Sequence, residues 1–457
     1  MKGSKYNYFA RKENRVICLN GITGKMLSLD DEEYSFLQAM FNDNDLQAKF
    51  PNIIHKLVEG HFLVQDDTQE IDKLRKQNRI AFDQQGYNLT INPTQDCNFK
   101  CWYCYENHIK SRMSEDIQSR IKLFVNKELE RRNLKYFSLN WFGGEPLLYF
   151  NEVVYPVSVY IKNATKNYSV PFSNSMTTNG YLLTQEVAQK CKDINLDLLQ
   201  VTLDGNRKIH NRVRNDKGKP SFDQILENCI YYLQKHEKGF VILRVNYTTH
   251  NIVGVNYAEI LSFIPQEIRT RIQIQFHRVW QTYDKEGNDL KVKHSLKENQ
   301  DNLRTSGFAY SNNIQYSLYK GFVCYADRKH YANINYDGRV YRCTAQDYKP
   351  DNSLGHINEY GDIVWKDKKL KKIDEIANFE NPVCLDCKFL PLCGGPCFAK
   401  RLQMEQAGKY FCPMTKMDTD IDQFIIDSYD NIIEKRKKHH ESSLRGRNNN
   451  LETLAYE

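Results

Sequence analysis

Three cysteines in one short segment are the residues of this chain best suited to chemistry. Cys97, Cys101 and Cys104 are separated by three and by two residues, in the order Cys97-Asn-Phe-Lys-Cys101-Trp-Tyr-Cys104. Three thiolates can bind three corners of a cubane iron–sulfur cluster and leave the fourth iron open for chemistry. A structural zinc site needs four ligands, and no fourth cysteine lies near this triplet. The spacing therefore favours an iron–sulfur cluster with one open iron.

Seven further cysteines lie close together in the last third of the chain. They are Cys324, Cys343, Cys384, Cys387, Cys393, Cys397 and Cys412. The chain has 13 cysteines in all, and disulfides would be unexpected in the cytoplasm, where we expect this protein. A pair of zinc ribbons is the alternative use for these residues. The triplet at Cys97 makes further iron–sulfur clusters the better interpretation.

Small and polar residues stand at the ends of the predicted strands. Gly143, Gly144, Glu145 and Pro146 follow the second strand, and Thr202 ends the fourth. Glycines let the backbone approach a ligand closely, and a glutamate carboxylate can accept hydrogen bonds from an ammonium group. The alternative is a tight strand-to-helix turn, with the proline at the start of the helix.

Strand patterns alternate with helical patterns through the middle of the chain, which favours parallel strands joined by crossover helices. The predicted strands are Tyr87–Asn92, Tyr136–Phe142, Phe172–Thr178, Leu196–Leu203, Phe240–Tyr247 and Arg271–Val279. In barrels of this class the chemistry lies at the carboxyl ends of the strands. The cysteine triplet and the polar turns follow such ends.

The triplet and the Gly143–Pro146 turn together resemble the radical S-adenosylmethionine (SAM) family. That resemblance implies a [4Fe–4S] cluster bound by Cys97, Cys101 and Cys104, whose open iron takes the amino and carboxylate groups of SAM. It also implies an α/β fold, an open, partial (β/α)6 TIM-like barrel. We expect a small α+β domain before this barrel and an irregular iron–sulfur domain after it.

The same resemblance implies which residues contact SAM. They are Tyr103, Gly143, Gly144, Glu145, Pro146, Thr202 and Arg214. The glycine turn corresponds to the site of the methionine amine, and the Tyr103 backbone to the site of adenine. Thr202 corresponds to a position near the ribose or carboxylate. Arg214 ends a His210-Asn-Arg-Val-Arg214 motif and is the expected partner of the SAM carboxylate.

The seven later cysteines resemble the SPASM extension, which carries two auxiliary [4Fe–4S] clusters in peptide-modifying radical SAM enzymes. The resemblance implies three clusters in total and divides the seven ligands into two sets. The distal set is Cys384, Cys387, Cys393 and Cys412, and the proximal set is Cys324, Cys343 and Cys397. Some relatives carry one more cysteine shortly before the position of Cys324, and residues 316–323 contain none. The proximal cluster is thus expected to have an open iron, unless an oxygen ligand such as Asp327 fills it.

Four domains are expected along the chain. They are residues 1–80, 85–305 for the barrel, 310–416 for the auxiliary clusters, and 417–457 for a helix and basic tail. The first has strand, helix and closing-strand patterns of a winged-helix-like unit. It loosely resembles the precursor-peptide recognition elements fused to some radical SAM enzymes, which add a leader peptide to a sheet edge. A structural cap is the alternative.

The charge pattern bears on partners and location. The formal net charge is +7, and residues 435–447 hold six Lys or Arg and one Glu, so this segment alone supplies +5. The rest of the chain is nearly neutral, so we expect no nucleic-acid partner. No apolar run approaches the ~20 residues of a membrane span, and no signal peptide is recognisable, so we expect a cytoplasmic protein without membrane contact.

These features predict a radical SAM maturase that modifies a precursor peptide, in which a cysteine is expected. The expected product is a thioether or another side-chain crosslink, and a flavodoxin or ferredoxin would supply electrons. An anaerobic sulfatase-maturating enzyme is the first alternative. Such enzymes typically have Asp directly after the cysteine in the position of Cys343, and here Thr344 follows. A non-catalytic iron–sulfur protein that binds peptides is the second alternative.

Overall fold

The amino-terminal residues form two small sheets and three helices. The computed structural model describes residues 1–83, 85–282, 289–311, 323–366, 377–410, 412, 421–433 and 436. Its first elements are β1 (Lys2–Gly3), β2 (Asn7–Lys12), β3 (Arg15–Asn20), β4 (Met26–Leu29), α1 (Asp31–Met40), α2 (Asn44–Lys49), α3 (Pro51–Glu59) and β5 (Leu63–Val64). Strands β2, β3 and β4 form an antiparallel sheet in that order, and β1 pairs with β5. Asp30 caps α1 through a capping box with Glu33, as the sequence predicts.

The structure both confirms and revises the predictions for this region. The helix predicted through Ile53, Ile54 and Leu57 and ending at Gly60 is confirmed as α3, which begins at Pro51, whereas the short helix α2 before it is not predicted. The predicted strand from His61 to Val64 keeps only its last two residues, since His61 has a φ of 61°. The predicted linker helix over residues 74–83 is α4 (Asp67–Phe82), which begins seven residues earlier, after the cap Asp66.

Parallel strands joined by helices form the middle of the chain, which confirms the α/β fold and the partial TIM-like barrel. The elements are β6 (Gly86–Ile91), α5 (Glu115–Arg131), β7 (Tyr136–Trp141), α6 (Tyr155–Asn167), β8 (Phe172–Thr178), α7 (Gln185–Asp193), β9 (Leu196–Thr202), α8 (Arg207–Val213), β10 (Asn215–Asp216), β11 (Lys219–Pro220), α9 (Phe222–Lys235), β12 (Phe240–Tyr247), β13 (Ile272–Arg278) and β14 (Ala309–Ser311). Short helices over Thr249–Ile252, Tyr257–Ile260 and Gln266–Arg269 follow β12. One longer helix was predicted there. The helix Leu290–Thr305 precedes β14.

The sheet extends beyond the six predicted strands at both edges. Its order is β14-β13-β12-β9-β8-β7-β6, followed by β15 (Tyr331–Ile334), β16 (Arg339–Tyr341), β17 (Gly355–Ile357) and β18 (Ile363–Trp365). Strand β14 is parallel to β13, and β15 is parallel to β6. The hairpin predicted around Gly338 is confirmed as β15 and β16. Residues predicted as a separate auxiliary-cluster domain therefore share one sheet with the barrel.

The two faces of the barrel strands differ in chemistry. On the outer face, buried apolar residues such as Trp141, Leu199 and Val245 pack in one core with Val157 and Ile161 of α6. The opposite face carries polar side chains, which form hydrogen bonds between neighbouring strands. Examples are Tyr331 to Thr90 at 3.1 Å and Ser175 to Asn140 at 3.1 Å. Since strands covered on both faces are normally apolar throughout, this polar face indicates an interior that holds water or ligand.

The carboxyl-terminal region packs against the amino-terminal sheet. Its helices are Pro382–Asp386, Leu390–Cys393 and Phe398–Ala407, and residues 421–433 are also helical. Phe424 and Ile425 are fully buried against Tyr8 and Leu19. The helix expected in residues 417–457 thus packs in a core, whereas the basic tail over residues 435–447, predicted as a solvated helix end, lies outside the described residues except for Arg436. Among the described helices, none combines the length and apolar character needed to cross a bilayer.

Contacts tie the first residues to the cysteine-rich region near Cys384. The rings of Tyr8 and Phe389 stack with centroids 5.9 Å apart, and Lys5 Nζ donates to the Leu385 carbonyl at 3.0 Å. Arg75 on α4 forms a bidentate ion pair with Glu380, at 2.7 and 3.1 Å. Deleting residues 1–75 would expose these surfaces. A test of the amino-terminal domain therefore needs single substitutions.

Candidate active site

The three cysteines of the triplet lie together in the loop that follows β6. Burial raises the pKa of each thiol. The charge of Cys101 raises the pKa of Cys97 further, and that of Cys104 does so for Cys101. The positive charge of Arg214 opposes these rises in all three thiols, without cancelling them. The thiols are therefore close to one another and to one guanidinium.

This donor set suits an iron–sulfur cluster. A bare thiolate is unfavourable in a buried site, and a bound metal removes that penalty by replacing the proton. The Phe99 N–H points at Cys97 Sγ at 3.4 Å, a contact of the kind that tunes cluster sulfurs. Within the described residues, no three His, Cys, Asp or Glu side chains are placed to hold a single metal ion. A cubane separates its ligands much more widely than one ion does, so that finding concerns mononuclear sites.

The two glycines of the Gly143–Pro146 turn pack against the segment that leads into Cys97. A Cβ on Gly144 would lie 2.1 Å from the Asp96 carbonyl oxygen, and one on Gly143 would lie 2.5 Å from that of Thr94. Gly143 also has a φ of 104°, which side chains disfavour. The glycines are therefore required for the turn to pack against the cysteine loop. The sequence analysis explained them by the close approach of a ligand, which stays a prediction.

Glu145 is fully buried and connects this turn to the end of β8. Its carboxylate accepts hydrogen bonds from the Thr178 hydroxyl at 2.6 Å and from the backbone N–H groups of Asn179 and Leu147, at 2.7 and 3.0 Å. Burial raises the pKa of Glu145, and these bonds oppose the rise. Asn179 then donates to Asn98 at 2.8 Å, inside the cysteine loop. Contact between this carboxylate and the SAM amine stays a prediction.

Arg214 lies in a buried network with Asp204 and Tyr103. Its Nε donates to Asp204 Oδ2 at 2.7 Å and to the Tyr103 hydroxyl at 2.8 Å, and Tyr103 also donates to Asp204. Asp204 Oδ1 accepts from the backbone N–H of Asn246 at 2.9 Å. The guanidinium carbon lies 5.5 Å from the centre of the Tyr103 ring. Because these contacts use only Nε, the terminal nitrogens of Arg214 can serve a carboxylate ligand.

His210 explains why histidine and arginine recur at this spacing. Its Nδ1 accepts from the Asp204 N–H at 3.1 Å, and its Nε2 lies 3.0 Å from the Ser221 hydroxyl. Ser221 in turn donates to the Arg214 carbonyl at 2.8 Å. Burial, with the charge of Arg214, lowers the pKa of His210 to about 3. A neutral imidazole thus fixes the backbone of both ion-pair partners.

The remaining residues predicted to contact SAM are Thr202, Tyr103 through its backbone, and Pro146. Thr202 is buried at the carboxyl end of β9, where it is level with Arg244 of β12. The Tyr103 carbonyl accepts from Gln281 Nε2 at 2.6 Å, so the backbone predicted to meet adenine is held from the opposite side of the barrel. Pro146 begins a 3-10 helix, which agrees with the alternative interpretation of this motif as a tight strand-to-helix turn.

Cys324, Cys343 and Cys397 form a second group. Burial raises the pKa of all three, and in each of Cys324 and Cys343 the nearby charges of Cys397 and Asp327 add to the rise. Asp327, the alternative fourth ligand, is itself fully buried in an ion pair with Arg401 at 2.6 Å. Its second oxygen accepts from Asn378 at 3.4 Å. Both oxygens therefore have protein partners.

Cys384, Cys387, Cys393 and Cys412 form a third group. Burial raises the pKa of Cys387 and Cys393, and the charges of Cys384 and Cys412 add to both rises. The Tyr410 hydroxyl lies 3.0 Å from Cys384 Sγ. The leftover Cys18, Cys191 and Cys229 are fully or almost fully buried in apolar cores, as predicted for the last two.

The first and second groups lie at opposite ends of one pair of strands. Cys97 follows the carboxyl end of β6, and β15 runs parallel to β6. Cys324 precedes β15, and Cys343 follows β16, which runs antiparallel to β15 and so brings Cys343 to the amino end of β15. Burial raises the pKa of Tyr105, and the charges of Glu106, Tyr325 and Cys104 add to the rise. The polar barrel interior extends from one group to the other.

Sequence reasoning missed the polar residues of this interior. Arg244, Asn246 and His277 belong to it, from β12 and β13. Arg244 and Asn246 alternate with the buried apolar residues Leu243 and Val245, which is the pattern of a strand with one wet face. That alternation in the sequence is the signal that these polar side chains line the barrel interior.

Comparison with known proteins supports the family. The model of the radical SAM superfamily matches residues 91–264, and that of the SPASM iron–sulfur cluster-binding domain matches residues 324–388. Radical SAM cyclopropyl synthase TigE of Paramaledivibacter caminithermalis is 25% identical over 244 residues, 47% of this chain and 50% of that protein. The match thus spans half of that relative. A cysteine-type anaerobic sulfatase-maturating enzyme of Clostridium novyi is 25% identical over 342 residues, 68% of this chain and 87% of that protein.

Solved structures share the fold. The sulfatase-maturating enzyme anSMEcpe with bound AdoMet has a TM-score of 0.52 and 21% identity, with 69% of this chain and 90% of that chain covered. Streptococcus suis SuiB bound to its precursor peptide SuiA has a TM-score of 0.51 and 17% identity, with 91% and 99% covered. The chain therefore contains a radical SAM domain, matched over residues 91–264, followed by a SPASM domain, matched over residues 324–388.

Proposed function

We propose that this protein is a peptide maturase that uses SAM to form a thioether or another side-chain crosslink in a precursor peptide. The observation that carries the proposal is the placement of two cysteine groups at opposite ends of the β6 and β15 strand pair. A side chain that enters the polar interior would lie between them. The shared fold with SuiB, which was solved with a precursor peptide, supports a peptide as the substrate.

The three cysteine groups would hold three [4Fe–4S] clusters, the first of them with SAM. When bound, the reduced first cluster and SAM supply a 5′-deoxyadenosyl radical, and an external donor such as flavodoxin or ferredoxin supplies the electron. Arg214 would bind the SAM carboxylate, while Glu145 and the glycine turn hold the cysteine loop in place. The barrel walls then exclude water and other hydrogen donors from the substrate carbon.

The proximal group favours a cysteine in the peptide. Three cysteines leave one iron of a cubane without a protein thiolate. Asp327 is occupied by Arg401 and Asn378, which argues against its use as the fourth ligand. A substrate thiolate could take that position. We therefore propose a cysteine-containing peptide that forms a thioether. Its carbon-bound hydrogen would pass as an atom to the 5′-deoxyadenosyl radical, its sulfur-bound hydrogen would leave as a proton, and the electron released when carbon and sulfur join would pass to an auxiliary cluster.

The amino-terminal sheet offers an edge for the leader segment. Strand β4 pairs with β3 on one side and, among the described strands, with none on the other. The Asn20 N–H donates to the Lys25 carbonyl, and Cys18 is level with Leu27. Because hydrogen-bonded pairs alternate along an antiparallel ladder, the backbone groups of Ser28 point away from β3. The Ser28 carbonyl accepts from the Arg15 guanidinium, so the Ser28 N–H is the group that a leader strand could pair with.

Substituting Ser28 by proline tests this edge. Ser28→Pro removes an outward N–H and no backbone bond to β3, and proline is tolerated on edge strands. It also removes the hydroxyl that accepts from Arg15 Nε of β3 at 3.1 Å, a loss that Ser28→Ala reproduces. We expect peptide modification at limiting peptide to fall roughly threefold to tenfold, the effect of losing one main-chain hydrogen bond. Cleavage of SAM without peptide should not change. Each short open reading frame beside the gene is co-expressed, and mass spectrometry measures the loss of two hydrogens.

Ser28→Ala is the matched control, because it removes the side chain and keeps the N–H. Equal modification by the proline variant and the wild type would assign the amino-terminal domain to structural support. A peptide in which serine replaces the cysteine distinguishes a thioether product from a carbon–carbon crosslink. If the serine peptide is modified as well, the bond is carbon–carbon, and a thioether is excluded.

Thr344 bears on the alternative of sulfatase maturation. This residue stands where such enzymes typically have an aspartate that can act as a base. Its hydroxyl bonds to Tyr325, and neither group is basic at neutral pH. Sulfatase maturation therefore lacks its expected base. A non-catalytic peptide-binding role is disfavoured by the complete cysteine triplet with its buried Arg214 network.

A further inference from the structure

Arg244 is an interior arginine without an acidic partner. It belongs to β12 and faces the polar interior of the barrel. Its Nε donates to Asn246 Oδ1 at 2.9 Å, and no Asp or Glu among the described residues forms an ion pair with it. Burial is the main influence on this group and lowers its pKa, and the charge of Arg214 lowers it further. An arginine in such a place is unfavourable unless an anion joins it.

The nearest carboxylate cannot supply that anion. Asp204 lies close enough to influence Arg244, but it already accepts from Arg214, Tyr103 and the backbone of Asn246. The phenols of Tyr103 and Tyr105 are the other groups that favour the charged form of Arg244. Phenols are neutral at physiological pH, so they contribute dipoles and no compensating charge.

The neighbours of Arg244 suit a planar anion. The strand register places Gln275 beside it on β13 and Thr202 beside it on β9, and both can donate hydrogen bonds. Asn246 holds Nε and leaves the two terminal nitrogens of the guanidinium, whose forked geometry matches a carboxylate. The ring of His277, level with Asn246, has its pKa lowered to about 4 by burial and by Arg244, and is therefore neutral.

Arg214 and Arg244 serve different places. The charge of Arg214 acts on all three thiols of the Cys97 group. Arg244 lies on β12, level with Thr202 of β9 and Gln275 of β13, and the nearby phenol of Tyr105 favours its charged form. If Arg214 binds the SAM carboxylate, a second carboxylate is needed to balance the charge of Arg244.

We propose that Arg244 binds a carboxylate of the substrate, from an acidic side chain or a carboxyl terminus next to the modified position. This inference rests on the proposed peptide substrate and adds a requirement to it. The carboxylate would fix the register of the peptide in the barrel interior, so that one carbon faces the radical. Arg244 is thus a specificity-determining residue, separate from the SAM-binding groups.

Arg244→Gln tests the proposal in the fully reconstituted enzyme saturated with SAM. The probes are acetyl-Gly-Asp-Gly-amide and acetyl-Gly-Asn-Gly-amide at millimolar concentration, and the readout is the rise in unfolding temperature. The aspartate peptide should stabilise the wild type and Arg212→Gln, an exposed control with the same change of charge. It should lose its effect on Arg244→Gln, and the asparagine peptide should stabilise none of the three.

Two results would overturn the proposal. Equal stabilisation of wild type and Arg244→Gln by the aspartate peptide would show that Arg244 does not bind it. A loss of SAM affinity of about tenfold or more in Arg244→Gln would assign the carboxylate to SAM instead. Neither readout needs the peptide to be modified, so the result stands or falls independently of the maturase function.

Discussion

Replacing Cys97, Cys101 and Cys104 together with alanine is expected to abolish the formation of 5′-deoxyadenosine from SAM. The three thiols lie together beside Arg214, whose charge acts on each of them. Iron content after anaerobic reconstitution should fall by about one third, because two of the three cubanes, with about eight of the roughly twelve irons, remain. Chromatography of the nucleoside product and iron analysis of the same samples measure both effects.

Cys191→Ala and Cys229→Ala are the matched controls. Both thiols are buried in the barrel core away from the three groups, so iron content and SAM cleavage should equal those of the wild type. SAM cleavage by the triple variant, or a wild-type iron content, would show that the first cluster is held elsewhere.

Arg214→Ala is expected to have the second largest effect. Loss of a charge-assisted hydrogen bond to the SAM carboxylate costs roughly 1–3 kcal/mol, or about 5- to 150-fold in affinity. The variant should also be less stable, because Asp204 is left buried without its cation. Equilibrium binding of SAM and thermal unfolding, both measured anaerobically, report the two effects separately.

A double substitution separates binding from stability. Asp204→Asn with Arg214→Ala removes both charges of the buried pair, so unfolding should return toward the wild-type temperature. SAM affinity should stay low, since the guanidinium is still absent. If the double variant regains wild-type affinity, Arg214 acts only by holding Asp204, and the SAM carboxylate has another partner.

Much of the fold followed from local sequence patterns. The strands Phe172–Thr178 and Phe240–Tyr247 and the helix Glu115–Arg131 have the predicted bounds, because hydrophobic period and turn residues agree there. What could not be predicted depends on distant pairing. Strand β14 is three residues long, and β15 joins β6 across more than 230 residues of sequence. Neither pairing leaves a local signal.

The active site likewise has features that the sequence predicts and features that only the folded chain reveals. Cysteine spacing indicated the three groups, and the His210 and Arg214 spacing indicated a motif. The contact of the glycine turn with SAM stays a prediction, and the packing of Gly144 on the Asp96 carbonyl is a second role that the sequence does not indicate. Such a contact joins two strand ends that only the folded barrel brings together. Arg244 was missed for a related reason, since burial without a partner is a property of the three-dimensional surroundings.

Transfer of deuterium from a peptide to the nucleoside product tests the central claim most directly. A co-expressed peptide found to lose two hydrogens is synthesised with deuterium on its side-chain carbons and incubated with the reconstituted protein, SAM and a reductant. The proposed function predicts that 5′-deoxyadenosine gains deuterium as the crosslinked peptide accumulates. Formation of unlabelled 5′-deoxyadenosine alongside an unchanged peptide, for every candidate tested, would contradict it.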